Sequence, residues 1–462
     1  MVTSPKRRVL VVAYFFPPIA ASGSMRPLGL CRHLGSHGWD PVVVAAEPAS
    51  AQPHHQADAS LAQLLPTDVE VHRVGHRSML HMAIDVRDRW RSAGRRRDTA
   101  ASTATSTAPR PAHRQGRVGL YKDIALRHTF EFPDLQASWQ RPAVRRAMQI
   151  SSRRPIDAVF ATGSPWTGLL AGRDVAAALG VPLVVDFRDP WTMNTNLWQQ
   201  PSFVQRARRA ERLVCERADA IVTVTDPLSD SFRSVYPQCA SKVVTITNGF
   251  DEAIVADQSE AAPAVSAGGP IELWHFGSVY GPRNPVRLLR ALSELSTAGA
   301  AHAGALRVHF VGPWLIHDEE TEALALRLEA LGVISRQAGV PRDEALRRMR
   351  AAPILLALQP NLPLQIPAKV YEYAVSGRPT VVIGGEGATA RLVTDNGFGL
   401  CCPDDEQAIA SLLRGLLSGA AVPAPDPSLR RKFSYDTLAG QLAGVLDSIT
   451  TRGSSLATRR VG

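Results

Sequence analysis

The chain has 462 residues, of which 52 are basic and 42 acidic, so its formal net charge at pH 7 is +10. That length, with 45% hydrophobic residues, exceeds one ordinary core and predicts two domains of roughly 200 residues each. No stretch supplies the ~20 uninterrupted apolar residues of a membrane span and no signal peptide is evident, so we expect a cytoplasmic protein. The five cysteines lack metal-ligand spacing, and we expect reduced thiols and no metal. The positive charge favours an anionic partner other than nucleic acid.

The first half of the chain alternates between strand and helix patterns. Residues 8–13 form a nearly continuous apolar run, which indicates a strand buried on both faces; a helix at 28–34 and a second strand at 41–45 follow. This βαβ unit predicts a doubly wound α/β domain. Further strands are predicted at 158–161, 183–186 and 220–224.

Residues 92–116 differ in composition from the rest of the first half. They are dominated by Ser, Thr, Ala, Pro and Arg and contain no large apolar residue. Such a segment cannot offset the entropy lost on ordering, so we predict a disordered insertion there.

The second half repeats the strand and helix alternation after an Ala-, Pro- and Gly-rich stretch, 260–270, which is typical of a linker. Strands are predicted at 271–276, 306–311, 354–357 and 380–383, and a final amphipathic helix at 435–449. The predicted domains are an N-terminal Rossmann-like domain at 1–259, a C-terminal Rossmann-like domain at 260–432, and a segment at 433–462 whose helix packs across the domain boundary before a flexible tail.

Ligands of such domains bind where loops leave the carboxyl ends of the strands. The proline-rich loop at 14–26 offers Gly23 and Ser24 for a close approach to a ligand, and Arg26 for a phosphate or a sugar hydroxyl. The alternative is a turn stiffened by proline. The loop at 161–166 carries Ser164 and the aromatic Trp166, which could lie against a sugar ring, although Gly-Ser-Pro is also ordinary turn chemistry.

The third loop, at 186–191, is the sharpest signal in the first half. It places Asp186, Arg188 and Asp189 together at a strand end, where burying such charges is costly without a task or mutual pairing. We therefore predict a polar, catalytic site there. The structural alternative is that Arg188 pairs with Asp186 or Asp189.

Two segments of the second half fit a nucleotide. In 367–379, a helix from 368 would carry Glu372, which can accept hydrogen bonds from a ribose diol, and Gly377 suits the helix end. Lys369 lies beside Glu372, and a surface ion pair between them is the alternative. The turn at 277–284 offers groups that could bind phosphate, namely Gly277, Ser278 and Arg283. Neither a P-loop nor a G-x-G-x-x-G pattern is present.

Together these loops resemble the GT-B glycosyltransferases of the family 4 type, with two Rossmann-like domains facing across a cleft. The resemblance covers nearly the whole chain apart from the insertion and the tail. Its carriers are the first loop with Gly23 and Arg26, residues 133–139, ATGSPW, DFRDPW, Asn248 to Asp251, the turn at 277–284 and KVYEYAVSGRP.

The resemblance implies transfer of a sugar from a nucleotide-diphosphate sugar to an acceptor, with retention at the anomeric carbon and no cofactor or metal. The donor would be held mainly by the C-terminal domain, with Glu372 on the ribose and Arg283 on the diphosphate, and the acceptor mainly by the N-terminal domain. Cationic and backbone donors would stabilise the leaving oxygens. The acceptor would be a sugar, a lipid-linked group or a small molecule, as in polysaccharide or glycoconjugate biosynthesis.

Three positions depart from the family pattern. Leu364 stands where a second glutamate is frequent, Ser278 where an arginine is frequent, and Arg283 where a lysine is frequent. A non-catalytic nucleotide-sugar-binding protein, which Leu364 favours, is an alternative. A nucleotide-sugar epimerase, which could share the two-domain cleft and the ribose-binding carboxylate, is another. A further hypothesis is peripheral contact with an anionic membrane through residues 79–97, which combine apolar side chains with arginines.

Overall fold

The computed structural model describes residues 6–50, 58–76, 132–193, 201–250, 270–297 and 305–458. The chain divides into two compact units: unit 1 comprises Met1–Val222, Tyr236–Val243 and Ala443–Gly462, and unit 2 comprises Thr223–Val235 and Val244–Leu442. The predicted domain ranges at 1–259, 260–432 and 433–462 remain predictions. The predicted insertion at 92–116 and the segment at 79–97 lie outside the described residues.

The first sheet has seven strands. They are β1 (Arg7–Val12), β2 (Trp39–Ala46), β3 (Glu70–Val74), β4 (Ala158–Gly163), β5 (Leu183–Phe187), β6 (Ala220–Thr223) and β7 (Val243–Thr245). Their order is β3-β2-β1-β4-β5-β6-β7, and β1 pairs in parallel with both β2 and β4. This is the doubly wound order of a Rossmann domain. β1 is buried from its second residue onward, as its continuous apolar run predicted.

The helices of this part of the chain are α1 (Ser22–Leu34), α2 (Ala59–Gln63), α3 (Gln140–Ser151), α4 (Trp166–Leu179), α5 (Pro201–Arg217) and α6 (Asp226–Val235). α1 begins six residues earlier than the helix predicted at 28–34. Propensity disfavours a helix there because Gly23 lies in its first turn and Pro27 inside it. Gly23, Ser24 and Arg26 therefore lie on the first turns of a helix, and the prediction that they belong to a loop was wrong.

The second sheet follows the same plan. Its elements and neighbours in chain order are β8 (Ile271–Phe276), β9 (Val279–Tyr280), α7 (Val286–Thr297), β10 (Leu306–Val311), β11 (Trp314–Leu315), α8 (Glu319–Ala330), β12 (Ile334–Gln337), α9 (Arg342–Ala351), β13 (Ile354–Leu358), α10 (Ala368–Val375), β14 (Thr380–Ile383), α11 (Ala388–Asp395), β15 (Gly399–Cys402), α12 (Glu406–Leu417), α13 (Leu429–Lys432) and α14 (Tyr435–Thr458). The main sheet has the order β12-β10-β8-β13-β14-β15, and β9 pairs with β11. All its described pairs are parallel.

Apolar side chains cover both faces of the second sheet and pack between the sheet and the flanking helices. The strands predicted at 271–276, 306–311 and 380–383 are confirmed to the residue, and Gly377, with φ of +78°, follows the end of α10 as predicted. Strands as short as β9, or as polar as β12, give no recognisable periodicity and were not predicted. Within the described ranges, no helix is both long and apolar enough to cross a bilayer.

Each sheet reverses its strand order once. In the first sheet the reversal lies between β1 and β4, and in the second between β8 and β13. Open parallel sheets bind ligands at the carboxyl ends of the strands beside such a reversal. A ligand site is therefore expected at these two edges.

Candidate active site

The carboxylate of Asp186, near the end of β5, is held by Arg26 of α1. Nε of Arg26 donates to Oδ1 and Oδ2 at 3.1 and 3.0 Å, and Nη2 donates to Oδ1 at 2.9 Å. The hydroxyl of Thr162 on β4 donates to Oδ2 at 2.7 Å. Arg26 is 3% exposed and Asp186 0%, so the pair ties α1 to β5 inside unit 1. This geometry favours a role in holding the shape of the edge.

Arg188 lies in the loop after β5 and rests on backbone. Its own N–H and its Nε donate to the carbonyl of Gly163 at 3.1 and 3.2 Å, and its guanidinium also donates to the carbonyl of Ser164. The guanidinium lies against Gly23, where a Cβ would be 2.6 Å from Nη1. The sequence predicts that Gly23 admits a ligand; in the structure, the group that approaches Gly23 is Arg188.

Two predicted site hydroxyls make contacts within unit 1. Ser24 is buried and donates to the carbonyl of Ile19 at 2.6 Å, which closes the turn before α1. Ser164 donates to Oδ2 of Asp189 at 3.4 Å, so the loops after β4 and β5 meet as parallel neighbouring strands require. Ser164 and Asp189 are half-buried, which leaves part of each surface open.

Trp166, the first residue of α4, stacks on Trp191 from the loop after β5. The ring centroids are 5.3 Å apart and the planes differ by 5°. Trp166 is 9% exposed and Trp191 0%. One face of Trp166 is therefore covered, and its predicted contact with an acceptor would have to use the remaining edge.

In unit 2, the turn after β8 depends on two glycines. Gly277 has φ of +144° and Gly312, at the end of β10, has φ of +147°, conformations that favour glycine. A Cβ on Gly312 would lie 2.3 Å from the carbonyl oxygen of Gly277. The backbone of the turn is thus packed tightly, with Ser278 half-buried beside it.

Arg283 lies at the end of this turn and reaches the neighbouring strand end. Its Nε donates to Oε1 of Gln359 at 3.2 Å, and its guanidinium lies 5.3 Å from the ring centroid of Tyr280. Gln359 directly follows β13, is 5% exposed, and is fixed by donating to the carbonyls of Leu362 and Gln365. The guanidinium is therefore held where the strand order reverses, as a phosphate-binding group requires.

Glu372 lies on α10 and is 8% exposed. Nζ of Lys369 lies 2.8 Å from Oε2, and Nη2 of Arg342, on α9, lies 2.8 Å from Oε1. Burial by itself would raise the pKa of Glu372, but the charges of Lys369 and Arg342 lower it below its usual range. The carboxylate is therefore ionised at neutral pH and flanked by two cations.

Glu372 and Arg283 act on one common neighbour, the phenol of Tyr373. Its oxygen accepts a hydrogen bond from the N–H of Phe276, the last residue of β8, at 3.0 Å. Burial raises the pKa of Tyr373; the charge of Glu372 raises it further, and Arg283 lowers it. The hydroxyl of Tyr373, the residue after Glu372 on α10, thus lies at the carboxyl end of β8.

Sequence reasoning missed Arg342 and His275. His275 of β8 is 5% exposed, its Nδ1 lies 3.0 Å from the carbonyl of Leu356, and burial lowers its pKa to about 4, with the charge of Arg283 adding to the decrease. A histidine within an apolar strand was a signal that could have found it. Arg342 offers no such signal because 30 residues separate it from Glu372.

An open cavity of about 100 Å³ lies beside Gln359 at the carboxyl ends of β13 and β14. The loop Gly384 to Gly387 and Thr389 form its other side. Leu364, the departure from the family pattern, lies in the adjoining loop, and its carbonyl accepts a hydrogen bond from Thr225 at 2.8 Å. Across the described ranges, no group of three or more His, Cys, Asp or Glu side chains could hold a metal ion.

Comparison with known proteins agrees with this architecture. Residues 103–253 match the sequence model of the family described as Glycosyltransferase Family 4. No curated protein matches the chain significantly. Among solved structures, sucrose-phosphate synthase from Thermosynechococcus elongatus is 11% identical, with a TM-score of 0.56 and 99% of each chain covered. Anabaena HepE in complex with UDP is 13% identical (TM-score 0.54; 98% of this chain and 100% of that chain covered), and a Rickettsia africae glycosyltransferase is 12% identical (0.55; 98% and 98%).

The fold is that of the GT-B glycosyltransferases, and residues 103–253 are similar to Glycosyltransferase Family 4. The predicted fold class, with two Rossmann-like sheets of parallel strands, is confirmed by the likeness to these structures. The predicted resemblance to family 4 is confirmed by the match of residues 103–253. The roles of individual site residues remain predictions and are taken up next.

Proposed function

We propose that the protein transfers a sugar from a nucleotide-diphosphate sugar to an acceptor, with retention at the anomeric carbon. The observation that carries this proposal is the buried, ionised carboxylate of Glu372 in the same unit as the guanidinium of Arg283, which Gln359 holds at the reversal point of the second sheet. The ionised carboxylate of Glu372 suits the hydroxyl groups of a ribose, and the fixed guanidinium of Arg283 suits the diphosphate linked to it.

In this proposal unit 2 binds the donor. Glu372 accepts hydrogen bonds from the ribose hydroxyls, Lys369 holds the carboxylate, and Arg283 binds the diphosphate. The backbone of Gly277 and Ser278 supplies further donors to the phosphates. When the sugar–oxygen bond breaks, negative charge develops on the leaving diphosphate, and these donors stabilise it without a metal or a cofactor.

Unit 1 supplies the remaining predicted groups. Arg188 and Asp189, which are half-buried, form the catalytic group, and Ser164 and the open edge of Trp166 bind the acceptor. Gly23 is covered by Arg188, and Ser24, Arg26 and Asp186 are buried, so these predicted residues contribute through the shape of the surface. The contacts between Ser164 and Asp189 and between Arg188 and Gly23 support one joint polar surface at the carboxyl edge of the first sheet. The buried Arg26–Asp186 pair supports a contribution through the shape of that surface.

The acceptor class is the least constrained part of the proposal. The net charge of +10 supports an anionic partner, and we propose that a sugar, lipid-linked or small-molecule acceptor is used in polysaccharide or glycoconjugate synthesis in the cytoplasm. Peripheral contact with the inner membrane face would bring a lipid-linked acceptor to the enzyme. Flotation with vesicles of anionic phospholipid at low salt tests this contact, and recovery of all protein in the pellet refutes it.

The donor is best tested first with UDP-sugars, because the similar HepE structure contains UDP. The protein is incubated with UDP-glucose, UDP-galactose or UDP-N-acetylglucosamine, with and without a mixture of sugar and lipid-linked acceptors, and UDP release and products are measured. Acceptor-dependent UDP release supports transfer. A changed sugar without an acceptor indicates an epimerase, and binding without turnover indicates a non-catalytic protein, the alternative that Leu364 favours.

Two variants connect this assay to the site. Glu372→Gln and Arg283→Gln should each lower kcat/KM at least about tenfold, because each removes a charge-assisted hydrogen bond worth about 1.5–3 kcal/mol. Arg347→Gln is the matched control, since Arg347 on α9 is 70% exposed. The anomeric configuration of the product, read by NMR, tests retention.

A further inference from the structure

Arg342 reaches Glu372 from a different helix than Lys369 does. Its Nη2 lies 2.8 Å from Oε1, while Lys369 approaches Oε2 from within α10. The side chain of Glu372 is 9% exposed, and those of Arg342 and Lys369 are 25% and 34% exposed. The carboxylate is thus held from two sides in a place where little solvent reaches it.

This arrangement leaves a defined set of acceptor positions. An ionised carboxylate has about four lone-pair sites, two on each oxygen. Arg342 takes one on Oε1, whereas Lys369 forms an ion pair with Oε2, which has no hydrogen-bond partner among the described residues. Lone-pair sites therefore remain on both oxygens for two neighbouring hydroxyl groups. Two such hydroxyls are what a ribose presents and a 2′-deoxyribose lacks.

The two cations are not equivalent holders. The pair between Lys369 and Glu372 is an i, i+3 contact within one helix, and its ammonium is a point charge on a flexible stem. A guanidinium is planar and directional, and this one is anchored on a separate helix. In addition, Nε of Arg342 is buried beside this pair and has no hydrogen-bond partner among the described residues.

We infer that Arg342 is a positioning residue that orients the carboxylate of Glu372, and that this orientation makes the site select ribonucleotides over 2′-deoxyribonucleotides. The inference rests on the proposed function, in which Glu372 binds the ribose. Among the described residues, Lys369 on the same helix is the other charged group that acts on Glu372. The neighbouring phenol of Tyr373 interacts electrostatically with both Glu372 and Arg283.

The experiment measures binding by isothermal titration calorimetry. UDP, GDP and ADP are each compared with their 2′-deoxy analogues, using the full-length protein. The wild type should bind at least one ribonucleotide about tenfold more tightly than its deoxy analogue, as expected for one lost hydrogen bond to a charged group. Arg342→Gln should reduce this ratio to below about threefold, and Glu372→Gln should remove it.

Arg347→Gln removes an equal charge from the exposed side of the same helix and should keep the wild-type ratio. Arg342→Lys keeps the charge but not the planar geometry, so its ratio should lie below that of the wild type. This variant also serves if Arg342→Gln does not fold. In a pH series, Arg342→Gln should lose UDP binding at a higher pH than the wild type, because Glu372 then has one cation fewer to oppose its protonation.

The outcomes separate this inference from the proposed function. If the wild type binds none of the three nucleoside diphosphates, the proposed nucleotide site is refuted and the inference with it. If the wild type discriminates against the deoxy analogue and Arg342→Gln or Arg342→Lys discriminates equally well, Glu372 alone sets the selectivity and the role of Arg342 is overturned.

Discussion

Replacing Arg26 by methionine should destabilise unit 1 strongly, because Asp186 would remain buried without its cation. Asp186 is 0% exposed, and three of its hydrogen bonds, at 2.9 to 3.1 Å, come from Arg26. Only the hydroxyl of Thr162 would remain among the contacts described above. Removing one partner of a buried ion pair costs about 3–5 kcal/mol, and we expect Arg26→Met to lower the free energy of unfolding by that amount.

A double-mutant cycle shows whether the cost comes from the lost pairing. Asp186→Leu is combined with Arg26→Met, and unfolding by urea is followed through tryptophan fluorescence. The double variant replaces a buried pair with apolar side chains, a change that is often neutral. We therefore expect it to recover most of the lost stability, with a coupling energy of about 2 kcal/mol or more.

The control removes an exposed pair. Arg233→Met breaks the contact with Asp230, whose side chains are 41% and 69% exposed, and should cost about 0–1 kcal/mol. An Arg26→Met variant within about 1 kcal/mol of the wild type, or a double variant no more stable than the sum of the single changes, contradicts the buried-pair argument.

Three further predictions concern other contacts. The pKa of His275 is lowered to about 4 in the folded protein, so the unfolded chain binds more protons between pH 6.5 and 4. The free energy of unfolding should therefore fall by about 3 kcal/mol as the pH decreases over that range. In urea unfolding at several pH values, His275→Gln should show a shallower decrease. Trp166→Ala removes the stack on Trp191 and should cost about 3–5 kcal/mol in urea unfolding, whereas Trp166→Phe should cost less. Gly312→Ala places a Cβ 2.3 Å from the carbonyl of Gly277 and should lower stability by at least about 1–3 kcal/mol and weaken nucleotide binding; an unchanged Tm counts against the tight turn.

Much of the fold could be predicted because buried parallel strands are continuous apolar runs. The runs at β1, β8, β10 and β14 stand out from their neighbours without any knowledge of the tertiary structure. The start of α1 could not be predicted from the sequence, because Gly23 and Pro27 are poor helix formers. Packing against the sheet overrides that local preference.

The edge at which the predicted site residues lie was also available from the sequence, since charged residues at the ends of apolar strands have to lie at the carboxyl edge of the sheet. Pairing was not. The sequence offered, as the structural alternative to a catalytic site, that Arg188 pairs with Asp186 or Asp189, whereas Arg26, 160 residues away from Asp186, holds that carboxylate. Arg342 likewise reaches Glu372 across 30 residues.

The sequence by itself determined the two parallel sheets, their long apolar strands and the edge at which the polar residues gather. Only the tertiary structure decided which cation holds which carboxylate and which residues remain open to a ligand. The physical reason is that strand burial is encoded in a local apolar pattern, while the partner of a charged side chain depends on strand order and on how each helix is rotated against its sheet.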